Sequence, residues 1–342
     1  MNYAMKRCRL SYSICFVVQM LMAPIVAVLL LLLYVFCIQS PVSQTAAFTV
    51  SRGDSVTGVA NRLYQNGLID SVQTFKMVIS AKGGKVQRGI YEIRRGASVW
   101  RVADMLANGK VAQTTIMIPE GLTVKQIKNR LLQEQGLTGD VDCVAEDNAS
   151  VCSLKDGQLF PDTYTVARGT SRLAVLELAR KKMQSVADKW IKTNLWPKPL
   201  KNWNEVITLA SIVQKETPLV REMPVVASVY LNRLNKKMRL QADPTVVYAL
   251  TNKLGDMQGK PLLRSHLKID NPYNTYKNAG LPPAPIANVG LAAIGAVLNP
   301  AETNYLFFVA DGRGGHKFSV DYETHKKNHS DWRKIKNKNN KK

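Results

Sequence analysis

Leu209-Ala210-Ser211-Ile212-Val213-Gln214-Lys215-Glu216-Thr217-Pro218 reads as an apolar helix that ends by placing one carboxyl where water is scarce. Just upstream, Asn202 and Glu205 have capping-box spacing, an acceptor side chain followed by Glu three residues on. Val206, Ala210 and Val213 then fall on one helical face, with Trp203 before them and Leu209 beside them. Glu216 follows Val213 by three residues and Ile212 by four, so it continues that face. Pro218 stops the helix and pushes Thr217 out of the α region. A carboxyl on an apolar helix end is desolvated, and desolvation raises its pKa toward that of a general acid. The stretch also reads as a plain capped end with Glu216 paired to Lys215 or Arg221, because structural ion pairs use the same residue types.

The surrounding composition limits the partners. A net charge of +22 calls for an anionic one: nucleic acid, membrane surface or acidic polymer. Lys6, Arg7 and Arg9 precede an apolar run from Ser11 to Ile38, interrupted mainly by Gln19 and Pro24. The run exceeds the ~20 residues that span a bilayer. Phe36 ahead of Cys37 is too bulky for a cleavage or lipoprotein site. The expectation is an uncleaved single-pass anchor with a cytoplasmic N-terminus, the rest facing outward. No nucleic-acid role is expected outside the membrane. Cys8, Cys15 and Cys37 lie in or beside the anchor, and Cys143 and Cys152 are the one remaining pair. In an oxidising compartment that pair could close a short loop.

After the polar linker 40–45, one pattern recurs. Phe48-Thr49-Val50 leads through Gly53 and Ser55 into Val59, Ala60 and Leu63. Tyr91-Glu92-Ile93 leads through Gly96 and Ser98 into Val102, Ala103 and Leu106. A looser copy passes through Gly121 and Thr123, and a partial one through Gly169 and Ser171. Each is a strand, a glycine turn and a hydroxyl-capped helix. The glycines are unevenly spaced, which excludes a solenoid. Phe48 to Gly109 resembles the LysM fold, a module that grips N-acetylglucosamine polymers; this implies a glycan-binding module or a scaffold that kept the fold.

Downstream, Phe160-Pro161-Asp162 is turn chemistry, and Arg172 to Trp190 is an amphipathic packing helix. Pro224 opens another helix, with Arg233, Lys236 and Lys237 expected on its exposed side. Asp243-Pro244-Thr245 reads as a helix start with Asp243 at the N-cap and Pro244 at N1; Gln241 has no such role. Asn271–Tyr276 and Gly280–Asn288 are irregular and rich in Asn, Tyr and Pro, residues suited to sugar rings and hydroxyls. Strands are expected over 305–310 and 316–320 around a glycine turn that is no dinucleotide fingerprint. His325 and His329 are four apart on a helix and read as a basic solvated face, not a metal site.

Six motifs together resemble the membrane-bound endolytic murein transglycosylase family, the MltG or YceG-like proteins. They are Leu-Phe-Pro-Asp-Thr-Tyr (159–164), Ala-Ser-Ile-Val-Gln-Lys-Glu-Thr (210–217), Leu-Gln-Ala-Asp-Pro-Thr-Val (240–246), Tyr-Asn-Thr-Tyr (273–276), Gly-Leu-Pro-Pro-Ala-Pro-Ile (280–286) and Phe-Val-Ala-Asp-Gly-x-Gly-Gly-His-x-Phe (308–318). The chain departs from the family at Gln214, commonly Glu, and at Val289, commonly Pro. The resemblance implies cleavage of the β-1,4 bond between N-acetylmuramic acid and N-acetylglucosamine within nascent strands, forming 1,6-anhydro ends without cofactor or metal. Glu216 is the implied catalytic acid, and Gln241, Asp243, Thr245, Tyr273, Asn274, Tyr276 and Asn288 the expected substrate-binding residues. Asp243 and Glu222 are the nearby candidates for the second carboxylate that a hydrolytic muramidase would need. A non-catalytic wall-binding scaffold is the other alternative. Implied partners are glycan strands, the bacterial inner membrane, peptidoglycan synthases (penicillin-binding proteins), and division or elongation machinery. The expected fold class is α+β: a cytoplasmic N-terminus (1–10), a transmembrane helix (11–38), a LysM-like α/β module (46–115), a connecting α+β region (116–200), a periplasmic catalytic domain (201–334) and a basic tail (335–342).

Overall fold

Short strands that turn on glycine into hydroxyl-capped helices recur along the chain. The computed structural model describes residues 20, 22–30, 33, 42–142, 151, 153–193 and 195–339. Strand β1 (Ala46–Val50) turns at Gly53, and Ser55 Oγ accepts the Gly58 N–H to start α1 (Val56–Gln65). Helix α2 (Val72–Ala81) follows, capped by Ser71. Strand β2 (Gly89–Ile93) turns at Gly96 into α3 (Val99–Ala107), capped by Ser98. Strand β3 (Gln113–Met117) turns at Gly121 into α4 (Val124–Gln133), where Thr123 and Gln126 form a reciprocal capping box. Strand β4 (Thr163–Ala167) turns at Gly169 into α5 (Arg172–Ile191), capped by Ser171. Gly53, Gly96, Gly121 and Gly169 sit at φ 89, 84, 77 and 86°, a region closed to most side chains.

The chain divides into two compact units, Met1–Thr114 with Ala167–Gly169, and Thr115–Val166 with Thr170–Lys342. In the first, β1 and β2 pair antiparallel with Phe48 opposite Tyr91. Both rings enter a core with Leu63, Phe75, Ile79 and Leu106. In the second, Ile116, Ile127, Leu131 and Leu176 belong to one core cluster. A separate cluster gathers α6 (Trp203–Glu216), α7 (Met223–Asn235), α8 (Asp243–Leu250) and α9 (Leu291–Leu298). The antiparallel hairpin β5 (Phe307–Ala310) and β6 (His316–Ser319) packs with α10 (Tyr322–Asn339). The fold is mixed helix and sheet, with two-stranded sheets.

Helix α6 is the centre of this unit and packs on both α7 and α9. Val206, Ala210 and Val213 are fully buried. Each larger aliphatic side chain so placed contributes roughly 1.5–3 kcal/mol. Asn202 Oδ1 accepts the Glu205 N–H at 3.0 Å, but Glu205 Oε2 accepts from Lys201 N rather than from Asn202. The cap is therefore one-sided. Thr217 is extended (φ −138°, ψ 133°), so the helix ends where Pro218 requires.

Arg233 corrects the sequence reading of α7: it is buried, not exposed. Its guanidinium donates to the carbonyls of Leu306 and Leu240, each at 2.6 Å, and lies over the Phe307 ring. Arg233 sits seven residues after Val226 and three after Tyr230, on the packed face. Of the expected span 11–38, the described residues 20, 22–30 and 33 are helical, and the rest lies outside the described residues. Among the described residues no helix is long and apolar enough to cross a membrane. Cys143 and Cys152 also lie outside the described residues.

Candidate active site

The last residue of α6 opens into a cavity of about 280 Å³. Its walls come from α7 (Tyr230, Arg233), the turn into α8 (Leu240, Gln241, Asp243), Tyr276, β5 (Phe308, Val309) and α10 (His325, His329). Glu216 Oε2 is buried with no hydrogen-bond partner. The residue as a whole is half-buried, so burial falls on the carboxyl end. Among the described residues, neither Lys215 nor Arg221 forms an ion pair with it, which sets the plain capped end aside. Burial first, and the Asp243 carboxylate second, push Glu216 from 4.5 up to about 7. The neighbouring Tyr230 hydroxyl and Arg233 cation favour the charged form and pull the other way. The balance leaves an acid that keeps its proton close to neutral pH and whose Oε2 is buried and unpartnered.

Asp243 is the first residue of α8, with Ala242 at the N-cap, and it makes no capping bond. The N-cap assignment is thereby corrected: Asp243 Oδ1 accepts the Tyr276 hydroxyl at 2.5 Å, a partner 33 residues away. Gln241 is exposed and held at φ 51°. Such a left-handed non-glycine costs of order 1–3 kcal/mol and persists only where its surroundings enforce it. Here Gln241 N donates to the Thr275 carbonyl, and Ala242 N donates to Thr275 Oγ1. Thr245 is fully buried and shares a 2.9 Å hydroxyl contact with Thr275.

Asn274 and Asn288 are fully buried, and their amides are engaged by backbone. Asn274 donates to Leu267 O and Ile269 O and accepts from Tyr276 N, which fixes the loop carrying Tyr276. Asn288 accepts from Gly157 N and Leu159 N and donates to Leu122 O. Tyr273 packs on Tyr248 at 4.9 Å and lines a different cavity from Glu216. Glu222 is taken by His316, whose backbone N and ring Nδ1 lie at 3.2 and 2.7 Å from its oxygens. Gln214 Oε1 accepts the Gly290 N–H at 3.2 Å, and Val289 is fully buried in the core. At these two departures the amide ties α6 to the start of α9, and the valine fills apolar space.

His325 and His329 are a further correction, because they do not form a solvated basic face. Both line the acid's cavity, and His325 stacks on Phe307 at 5.2 Å with Nδ1 buried and unpartnered. Burial first, then neighbouring cationic groups, pulls both below the ordinary histidine value. Tyr230 and Arg233 were also missed; their helical spacing with Val226 was the available signal.

Fold and cavity together define an α+β protein built around a proton-bearing carboxyl whose Oε2 is buried and unpartnered. The chain belongs to the YceG-like family, whose sequence profile matches residues 48–331. A Bacillus subtilis (strain 168) protein named endolytic murein transglycosylase is 30% identical over 306 residues, covering 83% of both chains. A Streptococcus pneumoniae (strain D39) protein of the same name is 27% identical over 317 residues, covering 82% of this chain and 56% of that one. The crystal structure of a YceG-like protein from Listeria monocytogenes superposes with a TM-score of 0.51 at 29% identity, covering 83% of this chain and 99% of that one.

Proposed function

We propose that this chain is an endolytic murein transglycosylase. Glu216 donates its proton to the glycosidic oxygen as the bond from C1 of N-acetylmuramic acid breaks. The resulting carboxylate takes the proton of the muramyl C6 hydroxyl, whose oxygen closes on C1 to give the 1,6-anhydro ring. The sugar supplies the nucleophile, so one carboxyl suffices, where a hydrolytic enzyme uses two. The observation that carries this reading is the buried, unpartnered Oε2 of an acid poised near 7 in a polar cavity. Asp243 stands beside it as a fixed negative charge for the oxocarbenium-like centre, held there by Tyr276. Gln241 and Tyr276 contact sugar, while Thr245, Asn274 and Asn288 position the walls. Family membership and the names of the relatives support the same reaction.

The reading extends to place. Residues 11–38 anchor the chain in the bacterial inner membrane, with the N-terminus cytoplasmic and the catalytic half outside. Peptidoglycan synthases and the division or elongation machinery are the partners proposed there, and the LysM-like strand–turn–helix module presents the glycan. The test of the chemistry is Glu216→Gln on purified glycan strands, with products read by mass spectrometry. The wild type releases anhydro-muramyl ends and the variant none; reducing ends, heavier by one water, would assign a muramidase instead.

A further inference from the structure

A second cavity, of about 660 Å³, shares two walls with the first. Asp243 faces the acid, and Tyr248, five residues further along α8, faces the second cavity. That is about 7.5 Å of helix rise. The 273–276 segment is shared in the same way, Tyr276 lining one side and Tyr273 the other. The second cavity is ringed by Lys125, Lys128, Lys155 and Lys253. Among the described residues its one acid is Asp156, already engaged, Oδ1 by Val124 N at 2.6 Å and Oδ2 by the Tyr248 hydroxyl at 2.5 Å. Lys253 acts on that carboxylate, and Lys128 pairs with the highly exposed Asp142. Among the described residues, Lys125 and Lys155 form no ion pair. Asn252 and Lys253, at φ 48 and 65°, close α8 in a left-handed C-terminal cap, with Lys253 N donating to the Tyr248 carbonyl at 3.0 Å.

We propose that this cavity is a subsite for the stem-peptide carboxylates of the glycan strand that Glu216 cuts. The inference rests on the murein reading above. Cations surplus to the local acid select an anion, and the tilted Tyr273–Tyr248 pair offers an apolar floor for the peptide. Shared walls make the occupant part of the molecule lying across the acid. Murein's anionic groups on that scale are the carboxylates of its peptides, and with Lys125 and Lys155 engaged the enzyme distinguishes peptide-bearing from charge-neutral strands.

The experiment measures binding of the full chain to two preparations of soluble glycan strands, untreated and with stem carboxylates amidated. The chains compared are the wild type, Lys125→Gln/Lys155→Gln, and a charge-matched control, Lys334→Gln/Lys336→Gln on α10. The expected result is binding to untreated strands about tenfold weaker for the cavity variant than for wild type or control. On amidated strands all three bind alike. Cavity-variant binding equal to the control on untreated strands would overturn the proposal, and so would an equal loss on both preparations. Should the cavity variant fail to fold, the wild type decides alone: equal affinity for both preparations rejects the subsite. Failure of the murein reading is read separately, as intact binding by the wild type with no anhydro-ended product.

Discussion

Glu216 is a carboxyl displaced from its ordinary range by its surroundings, and this has a cost that can be measured. With the folded value near 7 and the ordinary value at 4.5, the folded state binds the proton more tightly than the unfolded chain. Glu216's contribution to stability is therefore fully present below about pH 4.5 and is lost as pH rises through about 7. At 1.36 kcal/mol per pH unit the loss approaches about 3 kcal/mol. Glu216→Gln removes the ionisation, so its denaturant midpoint should overtake the wild type's between pH 5 and pH 8. A constant difference across that range would show that the carboxyl is solvated. The same proton sets activity: kcat/KM should fall above about pH 7 as the acid ionises, a limb that rate profiles at saturating and limiting substrate would locate.

At the scale of elements, the cavity exists because loops are tied to helices by buried side chains. Asn288 joins Leu122, Gly157 and Leu159 through three hydrogen bonds. Asn288→Ala leaves the buried N–H groups of Gly157 and Leu159 unpaired, at about 1–3 kcal/mol each before relaxation, while the Leu122 carbonyl keeps the backbone N–H of residue 288. A net loss of about 2–4 kcal/mol in urea unfolding is expected, and a loss below 1 kcal/mol would mean the loop is held otherwise. The strand–turn–helix repeats were legible in the sequence because their causes are local: a glycine in the left-handed region and a hydroxyl at the N-cap. The end of α6 was legible for the same reason, through Pro218. Asp243 was not, because its local role as a cap gives way to Tyr276, which only the folded chain brings near. His325 and His329 showed helical spacing, but nothing nearby in sequence reveals that β5 and the end of α6 lie opposite. Nor can sequence separate an amide that holds a loop, as Asn274 does, from one that holds a sugar.

Across the whole molecule, charge and covalent order set the working conditions. A chain of net charge +22 acting on an anionic polymer gathers its substrate by long-range attraction. Raising ionic strength from about 0.01 to about 0.1 M shortens the screening length from about 30 to about 10 Å. kcat/KM on glycan strands should then drop several-fold while kcat stays level, which initial rates at both salt concentrations would show; a fall in kcat alone would contradict the steering argument. The family profile spans residues of both compact units, the glycine-turned module and the helical core carrying Glu216. The most direct measurement is the mass of the fragments left by complete digestion of purified glycan strands, wild type against Glu216→Gln. The account predicts chains ending in 1,6-anhydro-muramic acid from the wild type and undigested strands from the variant; hydrated reducing ends, or full digestion by the variant, would contradict it.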